Sequence, residues 1–375
     1  MKIVTVPSGF WLFIIFWASS FCSVHADPLS TALTKLDQHI QSQIQQEKAI
    51  GCAVAVVSEG KIVFMKAYGS RKKGVQAPID LNTVFQLGSI SKPISASLIE
   101  LLQKQNLLSV ETAVAKYYPH VLPATSIQHL LSHTSGYSRV GWNQKIEAGI
   151  PRPKLLTLLA GSLQNTPGET FDYHNLAYSV LEEVVAKTSQ QSFKEALIER
   201  LLRPLGMNTA SVGYADFETQ SNRAWPHQEN ENHRWKPSKT YSHFYHESVC
   251  ASGGINSNIK DMGTFLQFQM NGHPEILTRQ DLETFHTPIT AAPDALVWFQ
   301  GLTSGAVQSY YGQGWRILDY HNGRLVFHGG LLKGFSNFLG FLPERNIGIV
   351  ILHNAEGRFS LKTATMFFDQ YVKGD

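Results

Sequence analysis

Runs of β-forming residues at both ends of the chain, separated by a long helical middle, restrict the folds open to it. "GCAVAVVS" (51–58) and "KIVFMKAYG" (61–69), joined by Glu59-Gly60, read as a hairpin. Toward the other end, "GRLVFHGG", "GFSNFLGFLP" and "IGIVILHN" form three more such runs, followed by a helix from about Phe359 to Tyr371. Leu36, Ile40 and Ile44 recur at four-residue steps and mark an amphipathic helix over Ser30–Gln45. From about Ile94 to Gln280 the pattern is mainly helical, as in "ISASLIELLQKQ" and "AYSVLEEVVAKT". The polar stretch 216–247 has no periodicity and reads as a long loop. Together these imply an α+β fold: an antiparallel sheet in which the two ends meet, flanked by N- and C-terminal helices, with a large all-helical lobe inserted. The sheet part is expected to comprise 27–93 and 300–375, the lobe 94–299, and a site would lie in the cleft between them.

The first 26 residues, "MKIVTVPSGFWLFIIFWASSFCSVHA", read as a signal peptide: a lysine near the start, an apolar run from Gly9 to Phe21, and small residues before Asp27. The run is shorter than the roughly 20 residues a bilayer crossing needs. The expectation is cleavage after Ala26, export to a periplasmic or secreted location, and a mature chain (27–375) with no membrane span. Losing Lys2 lowers 32 Lys and Arg to 31 against 29 Asp and Glu, a net charge of +2 that disfavours nucleic-acid partners. Cys52 and Cys250 remain, and they read as free thiols, because Cys52 lies in an apolar run and nothing brings Cys250 to it.

Chemistry enters at "FQLGSISKPISASLIELL". Ser89 and Lys92 fit S-x-x-K, and only this register works because Ser91 plus three is Ile94. Residues three apart share a helix face, so a lysine amine can reach the serine hydroxyl. A serine at a helix start is also a common N-cap. Two further motifs follow in order: Tyr173-His174-Asn175, a Y-x-N before a helix, and His328-Gly329-Gly330, an H-x-G at a strand end. "HFYHE", with His227 and His233 nearby, lacks H-E-x-x-H spacing, so no metal or other cofactor is expected. "GFSNF" misses G-x-S-x-G by its last residue, and His133 in "LLSHTSGY" is assigned to loop contacts.

With these three motifs the chain resembles the serine β-lactamase and penicillin-binding protein superfamily, in its class C β-lactamase and DD-peptidase branch. "IQHLLSHTSGY", "PGETFDY", "RPLGM", "ASGGINSNIKDMGTF" and "YYGQGW" extend the likeness over most of the mature chain. The resemblance implies that Ser89 is a nucleophile forming an acyl-enzyme, with Lys92 and Tyr173 moving its proton, either of them taking it first. It implies that Asn175 holds Lys92 and the substrate amide, and that the N–H groups of Ser89 and Leu331 form an oxyanion hole. Gly329 and Gly330 would leave room for substrate beside the strand. His328 stands where class C β-lactamases usually carry lysine, and an imidazole titrating near pH 6.5 would lose its pull on a carboxylate through neutral pH. The H-x-G form is associated with DD-peptidases, D-amino-acid peptidases and esterases. The expected substrates are therefore D-amino-acid peptides, peptidoglycan-derived fragments or small esters. The alternatives are a class C-type β-lactamase and a non-catalytic penicillin-binding or sensor protein.

Overall fold

The computed structural model describes residues 27–119, 121–122 and 124–374; the signal-peptide assignment falls outside these residues. The chain opens with a helix, Pro28–Gln45, started by Asp27, whose carboxylate accepts the N–H groups of Leu29 and Ser30. The strands that follow are β1 (Gly51–Ser58), β2 (Lys61–Gly69), β3 (Phe85–Gln86), β4 (Ser211–Val212), β5 (His227–Glu229), β6 (Trp235–Pro237) and β7 (Ile255–Ser257). The later ones are β8 (Thr290–Ala291), β9 (Ala306–Tyr311), β10 (Arg316–Tyr320), β11 (Gly323–Leu332), β12 (Phe335–Leu342) and β13 (Ile347–His353), before the final helix Phe359–Gly374.

Eight of them form one sheet in the order β2-β1-β13-β12-β11-β10-β9-β8, and its described pairings are antiparallel. The ends of the chain meet where β1 pairs with β13, from Cys52 opposite His353 to Ser58 opposite Ile347. The β1–β2 turn takes the positive φ values of a two-residue hairpin, +48° at Glu59 and +73° at Gly60. The unbroken apolar run of β1 follows from burial on both faces. Cys52, Val54 and Val56 pack toward the terminal helices with Leu36, Ile40 and Phe367, while Ala53, Ala55 and Val57 face the inserted segment. Cys52 and Cys250 are both free thiols.

Three expectations need correction. The sheet includes β8, β9 and β10 beyond the three late strands read from the sequence, and it resumes at Thr290, ahead of residue 300. The inserted segment is not all helical: β3, β7 and β4 form a small sheet inside it. Residues 216–247 are not a plain loop, since they contain the β5–β6 hairpin and most of a helix at His243–Ser248. Strands of two or three residues are too short to show a period, which is why pattern reading passed over them.

Candidate active site

The β3–β7 pair ends at a 3₁₀ turn, Gly88–Ile90, that runs directly into the helix Ser91–Lys104. Neither serine caps that helix, which begins at Ile90 without a side-chain capping bond. Ser89 is half-buried at the turn, and Ser91 is fully buried, where its hydroxyl accepts the Ile255 N–H at 3.0 Å. Ser91 therefore ties the turn to β7, leaving Ser89 facing the cleft.

Strand β11 lies directly on this turn. Gly88 has φ +57°, and a Cβ there would sit 3.2 Å from the Leu331 nitrogen. A Cβ on Gly330 would run into the Leu87 carbonyl oxygen, so the strand can approach only because Gly330 has no side chain. Asn337 on β12 locks the approach by donating to the Gln86 and Leu87 carbonyls at 2.9 and 3.3 Å. The β10–β11 register stops at Phe327, whereas β12 pairs with β11 out to Leu332. One backbone edge of 328–332 is thus left beside Ser89, with the Leu331 amide against the serine turn.

Lys92 is fully buried, with Nζ 3.3 Å from Ser89 Oγ, 2.8 Å from Asn175 Oδ1 and 2.9 Å from the Ser252 carbonyl. Burial first, and then the nearby Arg316 charge, hold its pKa well below 10.5. A neutral amine has two hydrogens and one lone pair. In that form the hydrogens would go to Asn175 Oδ1 and the Ser252 carbonyl, leaving the lone pair for the Ser89 hydroxyl, whereas the ammonium would donate to all three. Asn175 is fixed from its other end, because its Nδ2 donates to the Tyr245 hydroxyl at 3.1 Å.

Tyr173 stands over the same amine, its ring centroid 4.5 Å from Lys92 Nζ and 5.2 Å from the Arg316 guanidinium carbon. Burial pushes its phenol up to about 12, with Arg316 and the hydrogen-bonding Ser89 hydroxyl pulling the other way. Burial thus keeps the Tyr173 phenol protonated at neutral pH and disfavours the ammonium form of Lys92. That division distinguishes an acid from a base in the resting site.

His328 departs from its expected behaviour. It is 1% exposed, with Nε2 3.0 Å from the Tyr311 hydroxyl and Nδ1 2.8 Å from the Gly329 carbonyl. Nδ1–H donates and Nε2 accepts, so the ring is neutral and fully partnered. Burial, Lys92 and Arg316 hold its pKa well below 6.5, so no charge fades there through neutral pH. The fixed cation at the site is Arg316, 1% exposed, bound twice at 2.9 Å by Asp294 and covered by the Trp298 ring at 4.2 Å. His328→Lys is expected to bury a second cation beside Arg316 and lower Tm by several degrees. Acylation by carboxylate-bearing β-lactams should not improve; a thermal melt and a nitrocefin assay check both outcomes.

The motif residues Ser89, Lys92, Tyr173, Asn175, His328, Gly330 and Leu331 thus converge on one cleft. Ser252, Tyr245 and Arg316 complete it and carried no motif signal of their own, although each lies in or beside a stretch noted above. The histidines of 227–246 are otherwise engaged: His227 accepts the Lys73 N–H, and His246 contacts Gln86 and stacks on Tyr214. Among the described residues no group of three or more His, Cys, Asp or Glu could hold a metal, and no helix is long and apolar enough to cross a membrane.

The sequence profile of the beta-lactamase family matches residues 36–367. Protein flp of Staphylococcus aureus is 23% identical over 358 residues, covering 90% of this chain; the chain spans 66% of that relative's length. The octameric penicillin-binding protein homologue from Pyrococcus abyssi superposes with a TM-score of 0.78 at 24% identity, over 89% of this chain and 76% of its own. EstCE1, a hydrolase with promiscuous acyltransferase activity, gives 0.75 at 20% identity, over 91% of this chain and 99% of its own. The mixed α/β architecture and the extent of the profile match show that the chain belongs to the beta-lactamase family, within the serine β-lactamase and penicillin-binding protein superfamily of hydrolases.

Proposed function

We propose that this chain is an exported serine hydrolase that cleaves ester or amide bonds through an acyl-enzyme on Ser89. The observation that carries the reading is the buried Lys92 amine, 2.8 Å from Asn175 Oδ1, 2.9 Å from the Ser252 carbonyl and 3.3 Å from Ser89 Oγ. Lys92 takes the serine proton as Oγ bonds to the substrate carbonyl carbon, whose oxygen turns to the Ser89 and Leu331 N–H groups. As the carbonyl bond to the leaving oxygen or nitrogen breaks, the Tyr173 phenol protonates that atom and regains a proton from the Lys92 ammonium. Water repeats the sequence: its proton passes to Lys92, its oxygen attacks the ester, and Oγ leaves with a proton returned to it.

The surroundings favour an uncharged substrate. His328 is neutral and Arg316 is compensated by Asp294, so neither offers a free charge to a carboxylate. A separate cavity of about 270 Å³, on the terminal-helix face of the same strand, is lined by Val297, Trp298, Phe327, Leu331 and Phe338 together with the Arg358 cation. Small uncharged esters rank ahead of D-Ala-D-Ala peptides, and both rank ahead of β-lactams. A fluorophosphonate probe should label Ser89, and p-nitrophenyl esters should turn over faster than the peptides or nitrocefin. A folded protein that neither labels nor turns over any of the three would overturn the reading, and labelling without product release would make it a binding or sensor protein.

A further inference from the structure

We infer that His133 is a positioning residue that fixes Tyr173 for proton transfer; this rests on the proposed roles of Ser89 and Tyr173. His133 grips the backbone on both sides of the tyrosine. Its carbonyl accepts the Asp172 N–H at 2.8 Å, and its Nδ1 accepts the His174 N–H at 3.1 Å. Its ring lies against the Tyr173 ring, centroids 4.2 Å apart at a 36° tilt. Tyr311 meets the imidazole nearly edge-on at 4.9 Å and Tyr178 lies at 5.3 Å, so the ring is itself enclosed.

Two features of His133 work against stability. Its φ is +58°, in the left-handed region that non-glycine residues uncommonly enter, although histidine does so more readily than most. Its buried Nε2 finds no hydrogen-bond partner among the described residues. Since Nδ1 accepts, Nε2 carries the hydrogen, which leaves a donor unsatisfied. Strain and an unsatisfied donor at one residue persist where the surroundings enforce them, and such places cluster at working sites. The charged imidazole would direct an Nδ1–H at the His174 N–H, so only the neutral ring fits the grip.

The reason for the grip is the geometry of the phenol. Tyr173 must reach both Ser89 and the leaving group from a half-buried position, and the described contacts to its phenol include Ser89 alone among hydrogen-bonding side chains. A ring free to turn about χ1 would carry its hydroxyl away from the serine. The imidazole shelf, together with the two backbone hydrogen bonds, removes that freedom.

The test is a double-mutant cycle with Tyr173→Phe, read by p-nitrophenyl ester turnover and by the rate of fluorophosphonate labelling. His133→Asn keeps an acceptor near the Nδ1 position and tolerates the positive φ, while removing the ring. It is expected to lower kcat about tenfold with KM within about twofold, and to cause no further loss in the Tyr173→Phe background. An equal loss in both backgrounds, or no loss in either, overturns the inference. If His133→Asn does not fold, His133→Gly, which suits the same φ, enters the same cycle with the same criteria. A parent protein without labelling or turnover would instead sink the Ser89 reading, so the two failures are distinguishable.

Discussion

Ser89→Ala is expected to abolish fluorophosphonate labelling and to lower ester turnover by a factor on the order of 10⁴ or more. Alanine leaves the Leu331 amide, Lys92 and Tyr173 in place, so any residual rate reports what the oxyanion donors and substrate binding supply alone. Ser91→Ala is the matching control, because the two serines of this turn have different tasks. Ser91 accepts the Ile255 N–H at 3.0 Å in a buried setting, and its removal leaves that N–H unsatisfied at a cost of about 1–3 kcal/mol. The control should therefore melt earlier but still label, whereas Ser89→Ala should melt near the parent temperature and not label. Mass spectrometry of the labelled peptide and a thermal melt decide the matter. Labelling that survived Ser89→Ala would remove the nucleophile from the proposal.

What could be read from the sequence is what local rules control. Ser89 and Lys92 stand three apart across the turn that enters a helix, so their meeting was implied by spacing. That the two ends of the chain share one sheet was implied by the apolar runs now seen as β1 and β13. Tyr173, Asn175 and His328 were named by their motifs, although only the fold brings them to Lys92. Other parts were not legible because residue type does not encode them. Ser252 acts through a backbone carbonyl, and Tyr245 through a hydrogen bond with Asn175, 70 residues away. His328 shows the difference most clearly: its identity suggested a charge fading through neutral pH, but desolvation and its two partners keep it neutral. Burial decides a titration, and a motif does not report burial.

The same principle sets the expectation for Lys92→Met. Methionine keeps much of the length and buried volume of the lysine but has no basic lone pair, so the Ser89 proton has no acceptor. Removing a positioned general base typically costs 10²–10⁴-fold; methionine also cannot donate to Asn175 and the Ser252 carbonyl, so kcat/KM should fall by about 10³-fold or more. The pH profile gives the sharper test. The groups about Lys92 are Arg316, compensated by Asp294, the phenols of Tyr173 and Tyr178, and the imidazoles of His133 and His328, whose pKa values are depressed. Burial and Arg316 disfavour the ammonium, so the amine loses its proton well below the 10.5 of an ordinary lysine. Parent kcat/KM should then rise with pH through that depressed value and level off above it, well before an ordinary lysine would titrate. Tyr173, at about 12, adds no alkaline limb in the neutral range. Folding pays for this arrangement: between the depressed value and 10.5 the unfolded chain binds a proton that the folded chain does not, so this group lowers stability as pH falls through that window. In Lys92→Met the acid limb of the residual rate should vanish. If the limb survives unchanged, the group that titrates is not Lys92, and the base must be sought elsewhere in the site.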